Sequence, residues 1–440
     1  MKFAFIGQDV PMLLPALLAD LLFAGHEAAD ISLQEGNPAM QDVLQRYGNA
    51  VILRSGLSAR LTVTGDRAEA LRGADCVLYA GDCMPASRFR MDRQALSGEK
   101  DDDPGLTEQA RVNGGIGGLL HTLRAGENVL ELCEDMRAAC SGALVINLGQ
   151  PVARTTALFE MQGFRCFGLG RTPMRGANGV DSLCKKMSRK LDSVDVRVAG
   201  LPGFAFLLAM TDAGTGADLL PQLADRARRD ELGRLARRWL DWYGALPVGD
   251  VTDHAEFLPA QPDYIPEEEP AFGETVEQRK ERILHMNTVG NHGASSREGA
   301  MAQVTLLSKA PPIRPMQLAL ALLRGTDLDM PAVARLNRGE LPQLPHDAVI
   351  ESALTLRGGQ VQPHGWQLPG ALAEICGDIA HTNALAAQAA TGDRSALREC
   401  VETDPALAGL DRLYCQELVD KLIQLHWDVL PRFCEDEEQP

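Results

Sequence analysis

At 440 residues, with 45% hydrophobic and 23% charged side chains, the chain is long and apolar enough to bury a large core or two packed domains, which excludes a disordered or collagen-like polymer. Lys and Arg number 43 against 60 Asp and Glu, a formal charge of −17 that argues against a general nucleic-acid surface, because phosphate binding needs clustered positive charge. No uncharged apolar stretch reaches the roughly 18 residues of a membrane span; the ten cysteines, none in Cys-x-x-Cys spacing, fit free thiols in a reducing compartment, so a cytoplasmic protein is expected.

The N-terminal run KFAFI, with β-favouring Phe3, Phe5 and Ile6, reads as a strand broken at Gly7 rather than as a signal peptide. Pro11 then opens a helix with leucines at 13, 14, 17, 18, 21 and 22, stopped by Gly25. Ile31 to Leu33 gives a second strand with Glu35 at its end, 28 positions after Gly7. This is the layout of a dinucleotide-binding βαβ unit. Leu61 to Thr64, Cys76 to Ala80 and Ala143 to Asn147 continue as strands, with helices over Arg67 to Leu71 and Val129 to Ala139. The run SGEKDDDPG, 97 to 105, reads as a mobile loop.

From about residue 200 the texture shifts to longer helices: Leu219 to Tyr243, Thr275 to Met286, Glu298 to Ser308, Leu368 to Ala390 and Leu410 to Leu430. The proline-bearing segment Gly249 to Gly273, with acidic Glu267 to Glu269, has no regular period and reads as an irregular excursion. The fold class expected is α/β, a Rossmann-like doubly wound parallel sheet followed by a mixed α+β, largely helical C-terminal half. A boundary near residue 200 gives domains 1–199 and 200–440.

In the first turn, Gly7, Gln8 and Asp9 face the start of a helix whose amides can meet an anion. Asp9 puts a negative charge where phosphate would sit, a repulsion of about 1 kcal/mol or more, or else caps the helix at Pro11. A Rossmann-like scaffold without cofactor is the competing reading. The cluster Asn113-Gly-Gly-Ile-Gly-Gly118 either admits a ligand to the backbone or makes a tight packing turn.

No pair of the nine histidines has zinc-site spacing, so no metal site is expected from spacing. His292 stands beside a capping box of Ser295 and Glu298 and reads as a loop histidine at a helix start. Asp253, His254 and Glu256 cluster in the irregular segment, where acids beside imidazole can do general acid/base work; solvated loop residues are the ordinary alternative. The arginines at 226, 228, 229, 234, 237 and 238 lie largely opposite Leu232, Leu235 and Leu240, as a solvated helix face would. Arg88 and Arg90 are candidate anion contacts, or plain surface arginines.

Taken in order, KFAFIG, TGDRAEALRGADCVL (64 to 78), NGGIGGLLHTLR (113 to 124), ALVINLGQPVARTT (143 to 156), FGLGRTP, AGLPGFAF, YGALPVGDVTDHAEFLP (243 to 259), LPHDAVIE (344 to 351) and AAQAATGDRSALRECVETDPAL (386 to 407) span nearly the whole chain. Together these segments resemble glycoside hydrolase family 4, NAD-dependent glycosidases related in fold to lactate and malate dehydrogenases. The resemblance implies that NAD oxidises the sugar at carbon 3, a base removes the carbon-2 proton, the aglycone leaves by elimination, and water addition and reduction restore the sugar, outside the usual two-carboxylate scheme. It also implies manganese, held by a cysteine in Gly-Leu-Cys-His and a histidine in Gly-Leu-Asn-His.

Those motifs fail here. The first reads Gly168, Leu169, Gly170, Arg171 and the second Gly200, Leu201, Pro202, Gly203, so both ligands have become glycine, which has no side-chain donor. The motif Asn-x-Thr-Asn-Pro has become Asn147, Leu148, Gly149, Gln150, Pro151. The usual glutamate upstream of the glycine cluster is Gln109, and Glu-Tyr-x-Pro is Glu256, Phe257, Leu258, Pro259.

The expectation is thus a divergent glycosidase with NAD but without the metal. Gly7, Gln8, Asp9, Gly81 and Asn147 would border the cofactor, and Glu35 would hold the adenosine ribose. Gln109, Asn113, Gln150 and Arg171 would meet substrate. Asp253, His254, Glu256, Gln150 and Arg171 would carry the chemistry, Arg171 as a fixed positive charge for an oxyanion. The alternatives are a noncatalytic member that binds a sugar or nucleotide, and an NAD-dependent sugar oxidoreductase. The partner expected is a small sugar or glycoside, with neither nucleic acid nor membrane, and the resemblance implies a homodimer or homotetramer.

Overall fold

The structure is a computed structural model; it describes all residues except 25–27, 82–85, 98–108, 171–172, 175, 260–275, 293–313 and 434–440. In chain order the elements are β1 (Lys2–Ile6), α1 (Val10–Phe23), β2 (Ala29–Gln34), α2 (Pro38–Ser55), β3 (Ala59–Thr64), α3 (Arg67–Leu71), β4 (Cys76–Tyr79), α4 (Ala86–Ser97), α5 (Gly115–Ala139), β5 (Leu144–Asn147), α6 (Val152–Met161), β6 (Cys166–Gly168) and α7 (Val180–Lys186). Then follow β7 (Val194–Leu201), β8 (Phe204–Asp212), α8 (Leu220–Arg228), α9 (Arg234–Tyr243), β9 (Leu246–Pro247), α10 (Val251–Ala255), α11 (Val276–His292), α12 (Pro315–Arg324), β10 (Leu328–Leu336), β11 (Val349–Arg357), β12 (Gln360–Val361), α13 (Gly370–Ala389), α14 (Arg394–Thr403) and α15 (Arg412–Leu425).

The strands form one sheet in the order β3-β2-β1-β4-β5-β6-β10-β11-β7-β8-β9, with β12 on β11. From β3 to β6 every pairing is parallel; beyond β6 every pairing is antiparallel. The order 3-2-1-4-5-6 reverses direction between β1 and β4, and in such sheets the crevice outside the strand ends at that point is where ligands bind. The Rossmann-like doubly wound sheet is therefore present. β7 crosses the expected 199/200 boundary, so that boundary falls inside a strand.

Local chemistry explains much of this. In α2, Pro38 occupies the first turn, Asn37 accepts the Ala39 N–H as a cap, and Gly56 closes the end in the left-handed region. Asp66 caps α3 through Ala68 and Glu69. One face of the parallel sheet packs Val77, Tyr79 and Val145 against α5 through Leu119, Leu123 and Met136. The other packs Phe3, Phe5 and Ile31 against α1, α2 and α12.

Two expectations change. Leu219 to Tyr243 is not one helix, because the chain breaks at Asp230 (φ 60°) and Gly233 (φ 89°) between α8 and α9. The excursion from Gly249 begins as the short helix α10; its part from residue 260 to 273 lies outside the described residues, as do the loop from 98 to 105 and Glu298 to Ser308. The eight described cysteines are all buried and free.

Candidate functional site at the strand ends

The crevice is built by glycines. A Cβ on Gly7 (φ +116°) would lie 2.4 Å from the Ala80 carbonyl oxygen, so the turn after β1 packs directly on the chain leaving β4, and Asp9 donates its backbone N–H to the same oxygen at 3.0 Å. Cβ atoms on Gly81 and Gly149 would both strike the Tyr79 ring. Gln8 is exposed and Asp9 half-buried. Asp9 occupies the cap position of α1 without a side-chain cap hydrogen bond. Glu35 follows β2, half-buried, and accepts the Asn37 N–H at 2.8 Å through Oε1. Asn147, at the end of β5, is wholly buried: its amide donates to Thr155 and Thr156 and accepts the Gly149 N–H, which fixes the loop carrying Gln150.

The glycine cluster packs instead of opening. A Cβ on Gly114 would lie 2.1 Å from the Glu256 carbonyl oxygen, and those on Gly117 and Gly118 would meet the backbone of Arg111 and Asn113. Glu256 closes this clamp, accepting N–H groups from Val112 (3.3 Å), Asn113 (2.7 Å) and the Asn113 amide (2.8 Å). Burial nevertheless pushes its carboxyl above the usual range. Arg111 donates to the carbonyls of Ala255, Glu256 and Leu258 from the other side. Gln109, fully buried, donates to the Ala406 carbonyl at 3.3 Å.

His254 is not a solvated loop residue: it is 1% exposed, with Nδ1 3.1 Å from the Asp250 carbonyl and Nε2 2.8 Å from the Ala205 carbonyl. A neutral imidazole carries one N–H, so only one of these is a full hydrogen bond. Burial holds its pKa below that of a free histidine. Asp253, beside it on α10, is half-buried.

The two positions that the resemblance gives to manganese ligands are both glycine and offer no donor atom. A Cβ on Gly170 would lie 2.8 Å from Val152 Cγ2 and 3.6 Å from Gln150 Nε2. Gly203 has φ +80°, and its Cβ would lie 3.2 Å from the Phe257 ring. Side-chain space at both positions is thus bordered by Val152 and Phe257. Among the described residues, no group of three or more His, Cys, Asp or Glu is placed to hold a metal. Gln150, half-buried and joined to Pro151 by a cis peptide, stands next to Gly170. Arg171 and the capping box of Ser295 and Glu298 lie outside the described residues, and of His292 only its place at the end of α11 is described.

Several residues that sequence reasoning missed surround this site. Asp404 accepts the N–H groups of Gly115 (3.1 Å) and Ala406 (2.8 Å), joining the start of α5 to the chain after α14. Arg154, in the first turn of α6, reaches Thr122 of α5 and Asn383 of α13. Its place in PVARTT, just after the Gln150-Pro151 step, was the one local signal. Of the other arginines singled out in the sequence, Arg88 pairs with Asp428, and Arg226, Arg228, Arg229 and Arg237 pair with neighbouring acids at the surface.

A 3-2-1-4-5-6 parallel sheet with glycines at the ends of β1, β4 and β5 defines a dinucleotide-binding type of α/β protein. Residues 3–181 match the model for family 4 glycosyl hydrolases and residues 198–407 that for the family 4 glycosyl hydrolase C-terminal domain, so the chain belongs to glycoside hydrolase family 4. It is 22% identical to an alpha-galactosidase of Bacillus subtilis (strain 168), over 98% of this chain and 99% of that protein. Its fold is shared with a 6-phospho-alpha-glucosidase from gut microorganisms solved with NAD and Mn2+, at TM-score 0.74 and 16% identity, covering 98% and 99% of the two chains. A 6-phospho-beta glucosidase from Thermotoga maritima, solved with NAD and glucose-6-phosphate, gives TM-score 0.68 at 15% identity over the same shares. No helix among the described residues is long and apolar enough to cross a membrane.

Proposed function

We propose that the chain is a family 4-type glycosidase that cleaves a glycosidic bond by NAD-dependent oxidation, elimination and reduction, without the manganese site usual in the family. The observation that supports this best is the pairing of a glycine-lined crevice at the β1/β4 switch point with glycine at both metal-ligand positions. Gly7, Gln8, Asp9, Gly81 and Asn147 border the dinucleotide, and Glu35 accepts the adenosine ribose hydroxyls. Bound NAD supplies a reversible hydride acceptor.

The chain's own residues do the positioning. Asn147 holds the loop that presents Gln150 to a sugar hydroxyl. Glu256, with Gln109 and Asn113, fixes the turn that enters α5 and walls the sugar side, while His254 holds α10 against β8. Arg171, at the position of the motif's histidine, supplies fixed positive charge for the developing oxyanion. Incubating the metal-stripped protein with NAD and neutral, phosphorylated and uronic glycosides tests the proposal. The expected outcome is aglycone release that survives a chelator, with no accumulation of reduced nicotinamide. Turnover that stops with the chelator would overturn it, and net nicotinamide reduction would make the protein a sugar oxidoreductase. A second reading, a noncatalytic member that binds a sugar or nucleotide, is favoured by Asp9 standing at the start of α1, where pyrophosphate would lie. Ligand binding without product would support it.

A further inference from the structure

Four arginines among the described residues are buried: Arg111, Arg124, Arg154 and Arg335. Arg124 grips Asp92 with both guanidinium arms, at 3.3 and 2.8 Å. Arg335 meets Glu340 at 3.2 Å and also donates to Ser352. Arg111 is held by three backbone carbonyls. Arg154, 1% exposed, differs from all of them. Its Nε donates to Asn383 Oδ1 at 2.8 Å and its Nη1 to Thr122 Oγ1 at 3.0 Å, but Nη2 has no hydrogen bond and no carboxylate lies within ion-pair distance among the described residues. A buried charge left without a counter-ion is costly, and folds rarely keep one without a partner to meet it.

A second donor is unsatisfied on the residue that Arg154 touches. Asn383 Nδ2 is buried with no hydrogen-bond partner. The amide cannot be turned round to hide this, because its oxygen is needed to accept from Arg154 Nε. Two unused donors, one of them charged, therefore sit on side chains bonded to each other, one in the first turn of α6 four residues after Gln150, the other on the facing α13. The carboxylates that feel Arg154 electrostatically, Asp404 and Glu256, are turned to backbone N–H groups at Gly115, Ala406, Val112 and Asn113. Burial raises the pKa of both, and although each feels the guanidinium at a distance, neither accepts a hydrogen bond from it.

We propose that Arg154 and Asn383 form a binding site for an oxyanion carried by the sugar substrate, a carboxylate or a phosphate group, seated between the first turn of α6 and α13. The inference rests on the glycosidase reading for the sugar, and on the geometry alone for the anion.

The test is calorimetric titration of the full chain, without NAD and at constant ionic strength, with a hexuronate, a hexose 6-phosphate, the neutral hexose and inorganic phosphate. One acidic sugar should bind at least about 10-fold more tightly than the neutral one, as charge-assisted hydrogen bonds allow. Hexuronate preference identifies a carboxylate site; hexose 6-phosphate preference identifies a phosphate site. Asn383→Asp, nearly isosteric, sets a carboxylate against Arg154 Nε and should abolish the preference while the circular dichroism spectrum and melting temperature hold. Arg154→Met should abolish it too; if that variant does not fold, Asn383→Asp alone decides. No preference for either acidic sugar, binding of inorganic phosphate alone, or a preference that survives Asn383→Asp would overturn the proposal. Because NAD is absent from these titrations, their failure is distinct from a failure of the glycosidase reading, which is judged by turnover.

Discussion

Glycine serves opposite ends on the two sides of the site. At the turn after β1, the proposed cofactor side, Gly7 is glycine because backbone crowds it: the Ala80 carbonyl is 2.4 Å from where a Cβ would stand, at a φ of +116°. After β6, the proposed sugar side, Gly170 is crowded by side chains, Val152 and Gln150, and stands where the resemblance places a metal ligand. The first glycine lets two strand ends approach; the second removes a donor. If the proposed function holds, the comparison teaches that a fold's own constraints can preserve a cofactor crevice while the chemistry beside it changes, since backbone contacts tolerate less change than side-chain contacts.

The largest expected effect is at Gly7. Gly7→Ala meets both a backbone collision and an unfavourable φ, and should lower stability by about 3 kcal/mol or more, with loss of NAD binding, read by denaturant unfolding and titration. Next comes the buried carboxyl of Glu351. Gly168, Ala334, Glu351 and Gly200 lie in one row across the sheet, so the cross-strand neighbours of Glu351 offer no polar side chain, and its Oε2 is buried without a hydrogen bond. Burial pushes the Glu351 carboxyl from 4.5 up to about 8. The folded protein therefore keeps a proton that the unfolded chain has lost between these values, and stability falls as pH rises through that window, at up to about 1.4 kcal/mol per pH unit. Glu351→Gln should flatten that part of the stability profile. An unchanged slope would show that Glu351 ionises normally in the fold.

Gly170→Ala should cost about 1 kcal/mol, because Val152 can give where backbone cannot. Equal costs at Gly7 and Gly170 would break the contrast. The smallest effect expected is on metal binding. Gly170→Cys with Gly203→His should not bring manganese affinity into the micromolar range, because Gly203 sits at φ +80° and Phe257 lies 3.2 Å from its Cβ position. Titration followed by manganese paramagnetic resonance would read it, and micromolar binding would show that only the donors, and not the space, had been lost.

Much of the first half was legible because its signals are local. The run KFAFI, the stop at Gly7 and Glu35 after the second strand are separated by short distances in sequence, and strands β1 to β5 stand within two residues of where periodicity puts them, whereas α5 begins at Gly115, well before the expected Val129, and α2 was not read at all. The break between α8 and α9 was less legible, since Asp230 and Gly233 sit inside an otherwise helical arginine-leucine pattern. The site was harder still. His254 looked like a loop residue because the carbonyl it meets, on Ala205, arrives from a strand 49 residues away. The partners of Arg154 and Asp404 come from α5 and α13, brought together only by the sheet and the helices packed on it. Such pairings leave no spacing in the sequence to read.

The central claim, a cofactor crevice kept without the metal beside it, is tested most directly by calorimetric titration of the metal-stripped protein with NAD, with and without manganese. The account predicts saturable NAD binding with an affinity that manganese leaves unchanged. Absence of NAD binding in both conditions, or binding that appears only with manganese, would contradict it.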